Sequence, residues 1–215
     1  MADGDARDLA AGDFSAWLAD ARRAIRGTGD SAVPCGTCTA CCTSSQFVHI
    51  APDETATLAR IPPALLFPAP GRPRGHVLLG YDERGRCPML VGERCSIYED
   101  RPRTCRRYDC RVFPAAGVAV DDGAQVAIGR QAERWRFDVS TPGARGSHEA
   151  VRAAAAYLRA HGELLAEAGV PANATQIAVL AIELHEIFLG GDGTLATPEP
   201  SALRAALQRW VRGRA

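Results

Sequence analysis

The sequence Cys35-Gly36-Thr37-Cys38-Thr39-Ala40-Cys41-Cys42 places four cysteines within eight residues. The other four cysteines of the chain fall in one later segment and are Cys87, Cys95, Cys105 and Cys110. Cysteines that are separated by two other residues can turn their sulfur atoms toward one ion, and thiolates are ligands for zinc, iron and iron–sulfur clusters. The pattern predicts a metal-binding loop, and we expect the intervening chain to fold the second cluster back onto the first.

The number of thiols leaves two arrangements open. Eight thiolates would complete two four-cysteine zinc sites, each with a net charge of about −2. Alternatively, four thiolates would hold one iron–sulfur cluster and leave four for a second ion, a resolving thiol or a substrate. Because neighbouring side chains diverge, we expect Cys41 and Cys42 to serve different ions, or one of them to stay free. The candidate ligands for zinc or iron, in one or two centres, are Cys35, Cys38, Cys41, Cys42, Cys87, Cys95, Cys105 and Cys110.

The composition excludes several classes of function. All 25 basic residues are arginine, so a lysine Schiff base and a P-loop lysine are both ruled out. The formal net charge is zero, which argues against binding to nucleic acid or to a membrane surface. The acidic N-terminus leads into no apolar signal region, and no apolar run approaches the roughly 20 residues of a membrane span. We therefore expect a cytoplasmic protein, and in that reducing compartment metal binding explains clustered cysteines better than disulfides do.

The middle of the chain has the pattern of a small, mostly antiparallel sheet. Helical spacing of apolar residues predicts an N-terminal helix that begins after Asp13 and stops at Gly27. Residues 52–60 have a helical pattern, and the proline-rich residues 61–75 are typical of a loop. Short strands are predicted at residues 46–50, 76–81 and 87–91, followed by a hairpin that joins residues 118–120 to residues 125–128.

Alanine-rich helices follow the sheet. Ser147 is a candidate cap for the first helix, and Gly162 predicts a break in it. Asn173 and Gln176 resemble a capping box at the start of the next helix, and Thr197-Pro198 is a candidate start for the last. We expect an α+β fold in which cysteine-rich metal-binding loops and a small antiparallel sheet are flanked by an N-terminal helix and a three-helix C-terminal region. The predicted domains are a cysteine-cluster domain at residues 1–140 and a helical region packed on it at residues 141–215.

The spacing of the cysteines resembles that of a known family. Cys-x2-Cys-x2-Cys-Cys is followed by Cys87-Pro88-Met89-Leu90 and then by the run from Cys95 to Arg106, CSIYEDRPRTCR. This combination is similar to the zinc- or iron-chelating CxxCxxCC cysteine-cluster family, also called YkgJ-like. The resemblance implies metal binding through these cysteines. It also implies kinship with flagellin lysine methylases, and hence an alternative function as an iron-dependent enzyme that modifies a protein or peptide.

Several other features leave the question of enzymatic activity open. Glu183-Leu184-His185-Glu186 lacks the second histidine of a zinc-protease motif, and no glycine-rich nucleotide-binding loop is present. A zinc-stabilised interaction module is a third hypothesis. His49 and His76 lie near the cysteine clusters and are interpreted as ordinary sheet residues. The arginines beside the second cluster would offset thiolate charge, or with nearby tyrosines would contact nucleic acid; they are Arg101, Arg103, Arg106, Arg107 and Arg111.

Overall fold

The computed structural model describes residues 8–120, 123–191 and 193–213. The helices within these residues are α1 (Phe14–Ile25), α2 (Thr55–Arg60), α3 (Arg103–Arg107), α4 (Val112–Ala116), α5 (Val126–Ala132), α6 (Pro142–Ala160), α7 (Gly162–Glu167), α8 (Ala174–Leu184) and α9 (Pro200–Arg212). The strands are β1 (Leu9–Asp13), β2 (Val48–Ile50), β3 (Leu66–Pro68), β4 (Val77–Leu79), β5 (Leu90–Val91), β6 (Arg94–Cys95) and β7 (Trp135–Asp138). The predicted mixture of helices and small sheets is confirmed.

The chain divides into two compact units. The cysteine unit takes the described residues of Arg23–Cys110 and Asp121–Gln131. The helical unit takes those of Met1–Arg22, Arg111–Val120 and Ala132–Ala215. All eight cysteines therefore belong to the cysteine unit. None of the helices in the described ranges has the length and apolar character needed to span a lipid bilayer.

The helical unit is built around α6, which packs against α4 and α8. β1 and β7 form a two-stranded parallel sheet in the same unit, a pairing that the sequence did not indicate. The helix caps satisfy backbone N–H groups that have no partner within the helix. Asp13 accepts a hydrogen bond from the Ala16 N–H at 2.8 Å, and Asn173 accepts one from the Gln176 N–H at 2.9 Å, so both predicted caps are confirmed.

Three details of the predicted C-terminal region are wrong. The first helix is capped by Thr141 and not by Ser147, because Pro142 starts the helix one residue later and Gly146 is tolerated inside it. The break at Gly162 is confirmed, but it separates two helices, so α6 to α9 make four helices in place of three. The last helix begins at Pro200 and not at Thr197-Pro198.

The cysteine unit contains an antiparallel sheet with the strand order β2-β4-β3. The register pairs Ile50 with Val77 across β2 and β4, and Phe67 with Leu78 across β3 and β4. One face of this sheet meets a small apolar cluster of buried side chains, namely Val48, Ile50, Ile61, Leu79 and Ile97. The half-buried side chains of Cys87 and Cys95 pack against this cluster, so two of the thiols belong to the core itself.

Two strand predictions in this unit need correction. Residues 61–75 are not entirely loop, because β3 adds an edge strand to the sheet; an edge position tolerates Pro68. The predicted strand at residues 87–91 is reduced to β5, which pairs with β6 in a separate hairpin and not with β4. The chain leaves the sheet at Asp82, whose carboxylate accepts hydrogen bonds at 2.9 Å from the N–H groups of Arg84 and Arg86.

The predicted hairpin between residues 118–120 and 125–128 is wrong. Its second strand is the start of α5, and the side chain of Ile128 is almost fully buried in that helix. Its first strand follows directly on α4, which ends at Gly117 with a left-handed backbone (φ 63°) and a Val118 N–H that bonds back to Phe113 O at 3.0 Å. A short apolar run does not distinguish a strand from a helix, and the two runs lie at the end of α4 and the start of α5. Asp121 and Asp122, predicted as the turn, lie outside the described residues.

Candidate metal centre

The first cysteine cluster forms a chain of tight turns. The Cys38 N–H donates to Cys35 O at 2.9 Å, which closes a turn over Gly36 with its positive φ of 56°. A 3₁₀ helix then spans Ala40–Thr43. These turns make the first cluster a compact loop in which Cys35 and Cys38 stand at the two ends of one turn.

A backbone hydrogen bond ties the second cluster to the first. The Cys87 N–H donates to Cys42 O at 2.7 Å. Cys95 lies on β6 opposite Leu90, so the short β5–β6 hairpin brings it back toward Cys87. The predicted folding of the second cluster onto the first is observed for this part of the chain.

Cys105 and its neighbours are positioned by α3. This helix packs on β2, where the Thr104 hydroxyl donates to His49 O at 2.7 Å. The buried Glu54 holds the start of the helix by accepting from the Arg103 N–H, and it also accepts from the Ala51 N–H at 2.9 Å. No sequence pattern indicated this role of Glu54, because it connects two segments almost fifty residues apart.

Cys110 is the one buried cysteine among the eight. It follows Asp109, a buried carboxylate that accepts a hydrogen bond from the Ser31 hydroxyl at 2.7 Å. The Ser31 N–H donates in turn to Arg106 O at 2.9 Å. Since a buried carboxylate is costly unless it is hydrogen-bonded, these contacts hold the end of the second cluster beside the segment that enters the first.

The thiol of Cys41 has one set of thiol neighbours. Burial raises the pKa of Cys41 well above its usual value, and the nearby thiol of Cys110 raises it further. Cys35 and Cys38 contribute next, and the adjacent Cys42 contributes least. Cys41 is exposed as a whole residue, and the burial that raises its pKa is that of the thiol group.

The strongest thiol neighbours of Cys42 are different from those of Cys41. Burial raises the pKa of Cys42 to about 11, and Cys87 and Cys95 are its strongest thiol neighbours. Burial likewise raises the pKa of Cys105 to about 12, and the contributing thiols are Cys42, Cys87 and Cys95, while the Arg101 guanidinium acts in the opposite direction. Cys38 and Cys35 also raise the pKa of Cys42, but less than Cys87 and Cys95 do. The adjacent residues Cys41 and Cys42 thus differ in their strongest thiol neighbours and share the weaker influence of Cys35 and Cys38.

The donor atoms suit the metals that the sequence predicted. A buried thiol surrounded by other thiols cannot ionise easily unless a cation offsets the charge, and soft thiolate sets are typical of zinc and iron–sulfur sites. Within residues 8–120, 123–191 and 193–213, no three side chains of His, Cys, Asp or Glu stand in an arrangement that could hold an ion. The thiols are neighbours and do not form a closed coordination shell, and the fit to zinc or iron rests on their chemistry.

Most of the nearby arginines are engaged elsewhere. Arg103 pairs with Asp53 at 2.7 Å and Arg106 with Asp30 at 2.8 Å. Arg107 donates to Gly27 O at 2.7 Å. Arg101 lies over the Tyr98 ring at 4.0 Å and is the arginine whose charge lowers the pKa of Cys105. Arg111 belongs to the helical unit, where it is buried and donates to Ala11 O at 3.3 Å.

Tyr108 is a neighbour of the thiols that the metal-site prediction left out. Burial raises the pKa of its hydroxyl far above the usual value, and the thiols of Cys41 and Cys110 raise it further. A hydroxyl that keeps its proton is a donor suited to a thiolate. Its position two residues before Cys110 was the available signal in the sequence.

The comparison with known families addresses this segment. Residues 34–123 match the family model CxxCxxCC, described as "Putative zinc- or iron-chelating domain". The predicted resemblance is confirmed. The match contains all eight cysteines and covers less than half of the 215 residues. No match was found among curated proteins or among solved structures. The family is described as chelating zinc or iron, and thiolates are suitable ligands for both metals.

Proposed function

We propose that this chain binds zinc or iron through its eight cysteines in two groups of four. The first group consists of Cys35, Cys38, Cys41 and Cys110. The second group consists of Cys42, Cys87, Cys95 and Cys105. The observation that carries this proposal is the difference between the adjacent residues Cys41 and Cys42: Cys110 is the thiol that raises the pKa of Cys41 most, whereas Cys87 and Cys95 raise that of Cys42 most, and Cys42 O accepts from the Cys87 N–H at 2.7 Å.

Each group joins parts of the chain that are far apart in sequence. In the first group, an ion would connect the Cys35–Cys41 turns to Cys110, whose position is supported by the Ser31–Asp109 hydrogen bond. In the second group, an ion would connect Cys42 to the β5–β6 hairpin and to α3. The Cys87–Cys42 backbone hydrogen bond of 2.7 Å already brings these segments together. Metal binding would therefore cross-link the cysteine unit.

The chemistry of the sites follows from the ligands. Zinc held by four thiolates is a structural ion with no open position, and an iron–sulfur cluster held in the same way would transfer electrons. The chain's own residues would offset the negative charge: Arg101 lies near Cys105, and the Tyr108 hydroxyl is available to a thiolate of the first group. The site thus supports a binding or redox module. All eight cysteines are free thiols, which suits the reducing cytoplasm.

The decisive experiment is an anaerobic purification followed by metal and acid-labile sulfide analysis. Two zinc ions per chain in a colourless protein would indicate two structural sites, whereas a brown protein with sulfide would indicate a cluster. Cys41→Ser and Cys42→Ser should each lose one of two centres, because serine is a poor ligand for either metal.

Double variants supply the matched control. Cys41→Ser with Cys110→Ser removes two ligands of one group and should lose no more metal than either single variant. Cys41→Ser with Cys42→Ser removes one ligand from each group and should lose both centres. Complete loss of metal from both single variants, or equal stoichiometry in the two doubles, would contradict the two-group arrangement.

A further inference from the structure

His49 and His76 form a hydrogen-bonded pair of imidazoles on the sheet of the cysteine unit. His49 Nε2 and His76 Nδ1 are 2.9 Å apart. The ring centroids are 5.1 Å apart and the ring planes differ by 15°, so the rings lie side by side with these two nitrogens facing each other. Val48 and Ile50 point into the core, and His49, between them, points to the opposite face of the sheet.

The surroundings of the pair favour the neutral form of His49. Both residues are half-buried. Partial burial lowers the pKa of His49, and His76, Arg72 and Arg103 lower it further, against an opposing contribution from Glu54. A neutral imidazole nitrogen is a common ligand for zinc and nickel, whereas a protonated one cannot bind them.

We propose that His49 and His76 form a two-imidazole site for a borderline divalent transition-metal ion, separate from the cysteine groups. One of the facing nitrogens now carries the bridging proton and the other accepts it. For both to bind a cation, that proton moves to the other nitrogen of the same ring, and the two rings turn so that their lone pairs converge on the ion and no longer on each other. Each ring then keeps one N–H, both facing nitrogens present a lone pair, and no proton is released overall.

This site would differ in kind from the cysteine groups. Two protein ligands leave the remaining coordination positions to water or to an incoming ligand, so the bound ion exchanges readily. The strand that carries His49 is also the strand on which α3 packs, through the Thr104 hydroxyl and His49 O at 2.7 Å. The proposed site therefore lies on the strand against which α3, the helix of Cys105, packs. The proposal does not depend on the assignment of the cysteines to two groups.

The test uses the full, untagged chain as isolated, with whatever metal its thiols hold. Nickel ion is added at pH 7.5, and binding is followed by calorimetry together with the release of zinc or iron. We expect one additional nickel site that displaces none of the resident metal. His49→Gln and His76→Gln should each weaken nickel binding at least tenfold, because one imidazole is a much poorer ligand than two.

His161→Gln is the matched control. His161 is also partly accessible and lies 3.1 Å from Glu163, but it is in the helical unit and has no second imidazole beside it. Its replacement should leave nickel binding unchanged. If nickel binding survives in both sheet variants, or is lost equally in His161→Gln, the two-imidazole site is wrong.

A second measurement on the unmodified chain covers the case in which a variant does not fold. Substoichiometric paramagnetic nickel should broaden the NMR signals of the His49 and His76 rings before those of His161. If all three rings broaden together, or if the pair stays sharp while nickel binds elsewhere, the two histidines are a hydrogen-bonded pair only and the proposal is overturned.

Discussion

The two units of this chain differ in the interactions that stabilise each of them. Among the described residues, the largest fully buried side chains of the helical unit are Phe14, Phe113, Val151, Leu158, Leu165, Leu180, Ile182, Leu203 and Leu207. Those of the cysteine unit are Ile50, Leu79 and Ile128. Fully burying one such side chain contributes roughly 1.5–3 kcal/mol. The helical unit therefore has far more apolar burial to offset the loss of chain entropy.

The smaller core of the cysteine unit gives the proposed metal centres a physical role. The cysteine unit has short strands, many turns and a small apolar cluster against which Cys87 and Cys95 pack. A unit with so little core gains stability from cross-links, and the metal ions that we propose would supply them. We therefore expect the two units to respond differently to metal removal and to core substitutions.

Metal removal should produce the largest difference between the units. The apparent free energy of zinc binding in small zinc-dependent folds is about 10–16 kcal/mol, so a chelator should unfold the cysteine unit and leave most of the helical unit folded. Hydrogen exchange measured by mass spectrometry should show lost protection in residues 34–110 and retained protection in α6 and α8. Returning zinc or iron is the control. If hydrogen exchange of residues 34–110 is unchanged in a verified metal-free sample, the cysteine unit does not need metal to stay folded.

A core substitution in the helical unit should have the opposite selectivity. Leu180 is fully buried, and Leu180→Ala should lower the free energy of unfolding of that unit by about 2–5 kcal/mol without changing the metal content. Urea denaturation with parallel metal analysis would measure both quantities. Leu195→Ala, at a side chain that is 50% exposed, is the matched control and should change stability by less than about 0.5 kcal/mol. Loss of metal from Leu180→Ala would show that the two units are not separate in stability.

The Ser31–Asp109 hydrogen bond should matter for the first cysteine group. Ser31→Ala removes one donor to a buried carboxylate and should destabilise the cysteine unit by about 1–3 kcal/mol. We expect faster loss of one metal centre to a competing chelator, because Cys110 follows Asp109 directly. Ser201→Ala, at an exposed serine of α9, should release metal at the unmodified rate. Equal release from both variants would remove the structural role assigned to Ser31.

The smallest expected effect concerns a helix cap. Asn173→Ala removes the acceptor for the Gln176 N–H and should cost about 0.5–2 kcal/mol in the helical unit. Asn173→Ser keeps a capping oxygen and should retain most of the stability. Thermal unfolding monitored by circular dichroism would rank the three proteins. A similar loss in both variants would mean that the cap oxygen is not what stabilises α8.

Local signals in the sequence predicted the elements whose causes are local. Asp13 and Asn173 were identified as caps because a cap needs only a side chain and an N–H three residues away. Gly162 was identified as a break because glycine disfavours the interior of a helix, which is also a local property. The β1–β7 pairing was missed because its two strands are more than a hundred residues apart and form only by tertiary contact. The hairpin at residues 118–128 was wrong because α4 and α5 supply hydrogen bonds that a short alternating pattern does not reveal.

The spacing of the eight cysteines is visible in the sequence alone, and it indicates the chemistry that we propose, chelation of zinc or iron, because thiolates are soft ligands. The proposed division into two groups rests on the tertiary structure, because the spacing alone could not say where Cys87, Cys95, Cys105 and Cys110 would arrive. The same holds for the His49–His76 pair, whose members come from different strands. Ligand type is a property of residues, whereas the sharing of one ion depends on distances between segments, and those distances are set only when the chain folds.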